Sequence, residues 1–551
     1  MSVESHKENE FVSKVDVETV EEYENPDDIQ LEQLGYKPEF KRDFTFLGLF
    51  SLCSSELAVL PGVAGTIWYT MGYLGLVGMT WGWFVGAVMG QFLAYSLAEL
   101  ASAYPTSGGL YYWAYMTAAP RYKLPFAIVI MLRCSMVYGH IHASSMLLHH
   151  VLRKSISHPL VLPTNPSQAA QMLIATAQLA YPNYVAEVWH VYLVYVAMML
   201  FSYLIICLPT RYVSWFNIWA TGLGIVVLII TTIILPAKAT KLNSAKAIFT
   251  SAENQTGWPT GWAFCMTFLS ATWTLSGYDV AAHVAEETSN AAVTVPRAMI
   301  WSTWSSAALG FVYLISLALC STDIDSLVAN PLGQPIGTLT ANILGKKAGA
   351  TLLAINFFSQ FGCGVAFFVA ASRIFFAYSR DKALPFSNWL SKVDKRTQTP
   401  NNASLAVFLI STAFGAISIG SDTAFQAFFS GSTLAGQISY ILPVLGRCLY
   451  ENNPEYTPGP FNLGRFSRAI RYMAVAWNFF IMPLVSFPSY PMPAPTDMNW
   501  AVVIYVPFQI IAMIYWYFWG YKTFTGPQPN LRAKERSQIH PVTDEIREKQ
   551  L

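Results

Sequence analysis

The sequence predicts an all-α membrane protein of about twelve spans, with the first and sixth interrupted. Three observations predict it. Charged residues make up 12% of the chain, about half the share of roughly 25% carried by soluble domains. Apolar segments of about twenty residues, the length needed to cross a bilayer, recur from end to end. Two of those segments carry small and acidic residues in mid-run, where a continuous helix in lipid would carry none.

Taken in order, residues 1–43 are polar and acid-rich ("DVETVEEYENPDD") and read as a disordered cytoplasmic tail. The transmembrane region, 44–520, follows. Its spans fall at about 45–70, 75–102, 124–151, 187–208, 212–235, 262–287, 298–320, 348–378, 403–419, 423–446, 470–487 and 500–520. The ninth and tenth are joined by "ISIGSDTAF", which must supply a very short turn. Residues 521–551 form a C-terminal tail. Mean hydropathy of +0.37 fits this plan.

Lysine and arginine set the orientation. With the N-terminus inside, the cytoplasmic segments hold Lys41, Arg42, Arg121, Lys123, Arg211, Arg297, Arg380, Lys382, Lys392, Lys395, Arg396, Arg447, Arg465, Arg468 and Arg471. The outer loops hold fewer: Arg153, Lys154, Lys238, Lys241, Lys246, Lys346 and Lys347. The bias places both termini in the cytoplasm, with the plasma membrane as the expected site and an endomembrane as the alternative. The sequon Asn254-Gln255-Thr256 falls in a predicted outer loop as a candidate glycosylation site, whereas Asn402-Ala403-Ser404 falls inside. A net charge of +1 points to no nucleic-acid partner. The seven cysteines are scattered singly, without metal-ligand spacing, and read as small packing residues. No cofactor, metal site or nucleophile–base constellation stands out, so an enzyme is not expected.

The first interruption is "SLCSSELAVLPG", Ser51 to Gly62. Serines are weak helix formers whose hydroxyls compete for backbone partners. Pro61 lacks an N–H and frees a carbonyl one turn back, near Leu57. A break is expected at residues 52–57, with Glu56 at the N-terminal edge of the outer half-helix. A carboxylate at that depth must be paired, protonated or facing water. It is either a cation or proton site or a structural partner of Arg133 in the third span.

The sixth span contains "ATWTLSGYDVAAHVAEETSN". Gly277 permits a break, Trp273 and Tyr278 offer aromatic faces, and Asp279 follows at once. Helical spacing puts Asp279, His283 and Glu286 or Glu287 on one face. That stripe is either a protonatable route to the cytoplasm or, for the glutamates above all, an anchor of the inner helix end. "HVAEE" lacks the H-E-x-x-H zinc pattern. Two interrupted helices in corresponding halves point to an inverted repeat with a site at the midplane. Elsewhere, Glu99 precedes a tight turn at Pro105 and Ser107-Gly108-Gly109. Ser359 lies in a small-residue stretch that suits close helix packing or an ion. His140 and His142 lie about 200° apart on a helix and cannot share one site.

Four segments, "SLAELASAYPTSGGLYYW", "WTLSGYDVAAHVAEETSNAAVTVPRAM", "ASRIFFAYSRDKALPFSNWLSKVDKRTQTPNNA" and "PGPFNLG", occur in family order. With them the chain resembles the amino acid–polyamine–organocation permease superfamily, and within it the fungal amino acid/choline transporters of GABA-permease type. The resemblance implies twelve helices in a five-plus-five inverted repeat, broken first and sixth helices around a central site, and uptake driven by an ion gradient, in this family usually of protons. Relatives carry a glycine-rich first helix; here Ser51, Cys53 and Ala58 stand where those glycines would be, and Glu56 replaces an apolar residue.

The expected function is therefore import of amino acids or GABA. The alternative is a cationic amine such as choline, thiamine or a polyamine, which Glu56 and Asp279 would attract. A non-transporting nutrient receptor is the reading from another class. The expected roles are polar-head binding at Ser54, Ser55, Ser276 and Gly277, and packing by Trp273 and Tyr278, with cation–π contact if the solute is an amine. Ammonium pairing or proton coupling is expected at Glu56 and Asp279, with His283 and Ser359 as further coupling candidates.

Overall fold

A computed structural model describes residues 25–130, 168–181, 183–184, 187–328, 335–416, 422–493, 498–515, 517–518, 524 and 526–527. Arg133, His140, His142, most of the third predicted span and the C-terminal tail beyond 527 lie outside the described residues. The chain divides into a small unit ending at Pro38 and a large one spanning Glu39–Pro529.

In the small unit the predicted disordered tail contains a helix, Pro26–Gln33. Its sequence explains it. Asn25 caps the first turn by accepting from the Asp27 N–H at 3.1 Å, Pro26 opens the helix, and Asp27 and Asp28 complement its positive end.

Every regular element described in the large unit is helical, apart from one isolated parallel bridge between Phe44 and Thr288. The first span is α1 (Phe46–Leu57) and α2 (Val59–Val77). α2 loses helical geometry at Leu74 and Gly75, and after a five-residue π turn the second span continues as α3 (Trp83–Ala103). Then come α4 (Leu110–Thr117), α5 (Gln168–Ala180), α6 (Val188–Ile206) and α7 (Thr210–Lys238). The sixth span is α8 (Thr260–Thr274) and the short α9 (Val280–His283), followed by a 3-10 turn at Ala285–Glu287. The remainder is α10 (Ala291–Cys320), α11 (Pro335–Leu344), α12 (Lys346–Arg380), α13 (Asn401–Gly415), α14 (Asp422–Leu449), α15 (Ser467–Ser486) and α16 (Ala501–Tyr515).

Eleven of the predicted spans thus meet helices, at nearly the predicted positions. Seven helical segments among the described residues are both long and apolar enough to cross a bilayer unaided. Of the others, α8, α13 and α16 have only 15 residues each, while α14 has 28. α5 and α11 were not expected. Each is too short to span, so the twenty-residue criterion passes over it.

Two broken helices lie at the centre. α10 and α12 both pack along α1, α8 packs on α2, and α7 lies against α1, α10 and α12. The Thr66 hydroxyl joins the two half-helices α2 and α8, 2.8 Å from the Ser270 hydroxyl and 3.3 Å from that of Thr274. Hydroxyl pairs of this kind hold helices together where lipid removes the hydrophobic drive between them.

Candidate functional site

The first helix breaks at Ala58, which sits in the left-handed region at φ 35° and ψ 63°. This corrects the expected position: α1 runs through residues 52–57, and Glu56 lies in its last turn, not at the start of the next half-helix. The three serines are tolerated in the helix because neighbours engage it: Thr221 donates to the Ser51 carbonyl at 2.8 Å, and its hydroxyl lies 2.8 Å from that of Ser55. The break falls later because Pro61 cannot donate to the Leu57 carbonyl, so the chain must turn there. The Cys363 thiol takes the Glu56 carbonyl at 3.4 Å.

The sixth helix breaks at Gly277, with φ +104°. A side chain there would meet Glu56 at once: a Cβ would stand 2.6 Å from the Glu56 Cγ and 2.9 Å from Oε1. The two breaks therefore touch through the Glu56 side chain. Glu56 is 4% exposed, and neither carboxyl oxygen has a hydrogen-bond partner among the described residues. The carbonyl end of α1, the negative end of its dipole, points into the same place.

Around Gly277 the polar groups are paired. The Gly277 N–H donates to the Tyr440 hydroxyl at 2.9 Å, and Tyr440 donates to Asp279 Oδ1 at 2.7 Å. The rings of Tyr440 and Tyr278 stack at 5.7 Å. The other Asp279 oxygen lies 3.4 Å from His283 Nε2, and His283 Nδ1 lies 3.2 Å from the Ser107 carbonyl. Gly109, with φ +51°, makes room for that imidazole, since a Cβ would come within 2.6 Å of it.

The glutamates that follow turn away from this line. Arg380 forks onto Glu286 at 2.8 and 3.0 Å, and the Ser107 N–H donates to Glu286 at 2.9 Å. Arg373, fully buried, forks onto Glu287 at 2.7 and 3.1 Å. These are anchors of the helix end, one of the two roles the sequence allowed for.

The remaining candidates separate into two groups. Glu56, Gly277, Tyr278, Asp279 and His283 meet at the breaks. Ser54, Ser55 and Ser359 lie on the other side of α1, around a cavity of about 40 Å³ shared with Thr221, Gly224, Ser305 and Ser306. That volume is room for a few waters or a small ion. The Ser54 hydroxyl is buried there without a hydrogen-bond partner among the described residues, while that of Ser55 is engaged by Thr221. Ser276 spends its hydroxyl on the Thr272 carbonyl at 2.5 Å, and Trp273 is half-buried. Glu99 accepts from the Ser467 hydroxyl at 2.6 Å beside the predicted tight turn. Asn254 is exposed before α8, donating to the Trp258 carbonyl at 2.6 Å. Tyr440 and Thr221 were missed. Each sits in a span whose other polar residues (Gln437 and Ser439, Asn217) give the one signal available.

Two broken helices meeting at a buried acid inside an apolar bundle are the anatomy of a membrane carrier. Comparison with known proteins gives the family: the Amino acid permease profile matches residues 44–508. An uncharacterized amino-acid permease of Schizosaccharomyces pombe is 33% identical over 93% of this chain and 88% of its own. Amino-acid permease 2 of Neurospora crassa is 32% identical over 94% and 92%. A Candida albicans protein named "Putative polyamine transporter" is 29% identical over 92% and 90%. The chain belongs to the amino acid permease family and is a multi-pass membrane transporter.

Proposed function

We infer that the protein imports a small solute bearing a protonated amine, either an amino acid such as GABA or a cationic amine, driven by protons. The observation that carries this reading is the Glu56 carboxyl, buried against Gly277 where the two breaks touch and without a hydrogen-bond partner among the described residues. A buried carboxylate left unpaired is costly, and an ammonium is the group that resolves it. The carbonyl end of α1 adds to the same attraction. Amino-acid permease and polyamine transporter are both names borne by relatives, and both classes of solute carry that ammonium.

In this reading Glu56 pairs the amine, and Trp273 and Tyr278 pack on the solute body. Asp279 and His283 hold the coupling proton. A carbonyl can only accept, so His283 Nδ1 donates to Ser107, and the proton between Nε2 and Asp279 Oδ2 belongs to whichever group holds it. The hydroxyl-lined cavity at Ser54, Ser55 and Ser359 takes water or a small cation. The plasma membrane, with both termini inside, is the proposed location.

Uptake of radiolabelled amino acids, choline, thiamine and polyamines into proteoliposomes, with and without an inward proton gradient, tests the reading. Glu56→Gln should weaken uptake of the preferred solute about tenfold, on the order of 1.4 kcal/mol. Unchanged affinity with an altered pH profile would instead make Glu56 the proton carrier. Binding without accumulation or counterflow would sink the transporter reading in favour of a receptor.

A further inference from the structure

We propose that the loop joining α12 to α13 docks on anionic phospholipid headgroups, with Phe386 and Trp389 entering the interface and Lys382, Lys392, Lys395 and Arg396 pairing the phosphates. The proposal stands apart from the identity of the solute.

The loop, 381–400, is ordered by its own bonds. The Asp394 carboxylate accepts the N–H groups of Arg396 and Thr397 at 2.9 and 3.0 Å, and the Asp394 N–H donates to the Thr399 carbonyl at 3.0 Å. A single helical turn, Ser387–Leu390, is pinned by the buried Leu390 and by Asn402, whose side chain donates to the Trp389 carbonyl at 2.8 Å. Asn402 stands in the first turn of α13, so the pinned turn sits where that helix begins.

On this frame two aromatic side chains are left uncovered. Phe386 is 81% exposed, more than any other aromatic side chain described, those on the outside of the bundle included, and Trp389 is 43% exposed. Phe386 also holds the left-handed region, at φ 59°, which is rare for a bulky residue. Its carbonyl accepts from the Trp389 and Leu390 N–H groups at 2.9 and 3.1 Å, which fixes the backbone, but so exposed a ring makes few contacts to offset the strain. Aromatic rings beside the end of a membrane span settle at the level of the lipid headgroups.

The charge around the rings selects the lipid. Lys382, Lys392, Lys395 and Arg396 are all exposed. Of the two carboxylates in the loop, Asp381 is buried and Asp394 is spent on backbone N–H groups. The outward charge is therefore cationic, which favours anionic headgroups over zwitterionic ones. An acidic peptide would meet the same cations, but the aromatics lie beside the start of α13, which favours lipid. The loop leaves α12 directly after Arg380, so a lipid held on it steadies the helix end to which Glu286 is tied.

The unfolding temperature of the purified full-length protein, read as phosphatidylserine or phosphatidylcholine is added to its detergent micelles, tests this. Phosphatidylserine should raise it well beyond phosphatidylcholine. In Lys392→Gln/Lys395→Gln/Arg396→Gln, the phosphatidylserine needed for half the rise should grow about fivefold for each cation removed, with the response to phosphatidylcholine unchanged. The Asp394 turn survives these changes because it uses backbone N–H groups. Phe386→Ser removes an exposed ring, leaves the fold intact and should weaken the phosphatidylserine response several-fold with every cation in place. Equal responses to the two lipids overturn the proposal. An undiminished response in the triple variant does so as well, since the lipid then binds other cations, and so does an undiminished response in Phe386→Ser. A rise produced by soluble glycerophosphoserine alone also overturns it, because the loop would then hold a free anion rather than a lipid.

Discussion

Ala58 holds a conformation that suits glycine. At φ 35° its Cβ crowds the backbone, a strain of about 1–2 kcal/mol for an L-residue. Replacing it by glycine relieves the strain and adds back about 0.4–1 kcal/mol of unfolded-state entropy. Ala58→Gly should therefore stabilise the protein by about 0.5–1 kcal/mol, a rise of one or two degrees in the unfolding temperature of the detergent-solubilised protein. A fall of several degrees would mean the turn is not strained. Gly277 is the opposite case. Its φ of +104° and the Glu56 Cγ at 2.6 Å from a would-be Cβ leave no space for a methyl group. Gly277→Ala should cut uptake by roughly tenfold or more at equal surface expression, since something in the site must shift by about an ångström. Undiminished uptake would place the solute elsewhere. Both breaks were legible as helices interrupted by small and acidic residues. The residue that turns, Ala58, was not, because nothing in "SSELAVLPG" distinguishes it from its neighbours; only Pro61, three positions on, marks where the backbone ladder fails. Tyr440 was hidden for another reason: it lies 163 residues from Gly277, and no local pattern reports a contact at that range.

Among the elements, α9 and the 3-10 turn after it do the most with the fewest residues. Seven residues, four in α9 and three in the turn, carry His283, Glu286 and Glu287. The stretch is held from four directions: Arg373 and Arg380 on α12, the Thr210 hydroxyl on α7, the Ser107 backbone before α4, and the segment ahead of α1. In that last contact the Phe44 N–H donates to the Glu287 carbonyl at 2.9 Å, and Ser289 donates to Phe44 at 3.1 Å. So short a helix is not stable alone, and its geometry comes from these anchors. The ion pairs are buried on both sides, with the Arg380 side chain 5% and that of Glu286 1% exposed. Removing one partner leaves a bare buried charge, at a cost of about 3–5 kcal/mol. Arg380→Met should thus lower thermal stability sharply, and adding Glu286→Gln should recover much of the loss. Additive losses in the double variant would show that the pair is not coupled. From the sequence, these glutamates could be placed at the inner helix end, but their partners could not be named. Helices α5 and α11 escaped for a related reason: at 13 and 10 residues they carry no span signal, and packing against the rest of the bundle defines them.

At the scale of the whole molecule, the loops sort into two faces by contact. On one, Gly459 abuts the Ser102 backbone, the Phe461 N–H donates to the Ser102 hydroxyl at 2.9 Å, and Tyr104 donates to the Glu455 carbonyl at 3.3 Å. Arg42 reaches the Thr288 carbonyl at 3.0 Å, and Ser107 is bound from Glu286 and His283, both tied to the same turn. On the other face, Gly75 lies by Glu253, Asn243 donates to the Ser321 carbonyl at 2.8 Å, Trp258 donates to the Pro488 carbonyl at 3.3 Å, and Tyr73 meets Ser489 at 3.0 Å. The first face carries Arg42, Arg380, Arg447, Arg465, Arg468 and Arg471; the second carries Lys238, Lys241 and Lys246. This sorting owes nothing to hydropathy, yet it divides the cations as the sequence did, so the positive-inside bias applies to a set of loops that share one side of the fold. The Asp394 loop between α12 and α13 belongs with the cationic side by its connection to Arg380. N–H groups of Arg396 and Thr397 bind its carboxylate and hold its proton affinity below the ordinary aspartate value. That contribution is present above the unfolded carboxylate range and fades as pH falls through the lowered folded value. The orientation is then open to a direct test in intact cells. Single cysteines at Lys241 and at Arg396, introduced where the native thiols are unreactive to a membrane-impermeant maleimide, should differ. The first should label from outside, and the second only after permeabilisation. Modification of Asn254, removable by glycosidase and lost in Asn254→Gln, would report the same side independently. Labelling of Arg396→Cys from outside would invert the molecule. The line from Asp279 and His283 to Ser107 would then lead outward, and the anchored turn at Glu286 and Glu287 would lie at the outer end of the sixth helix.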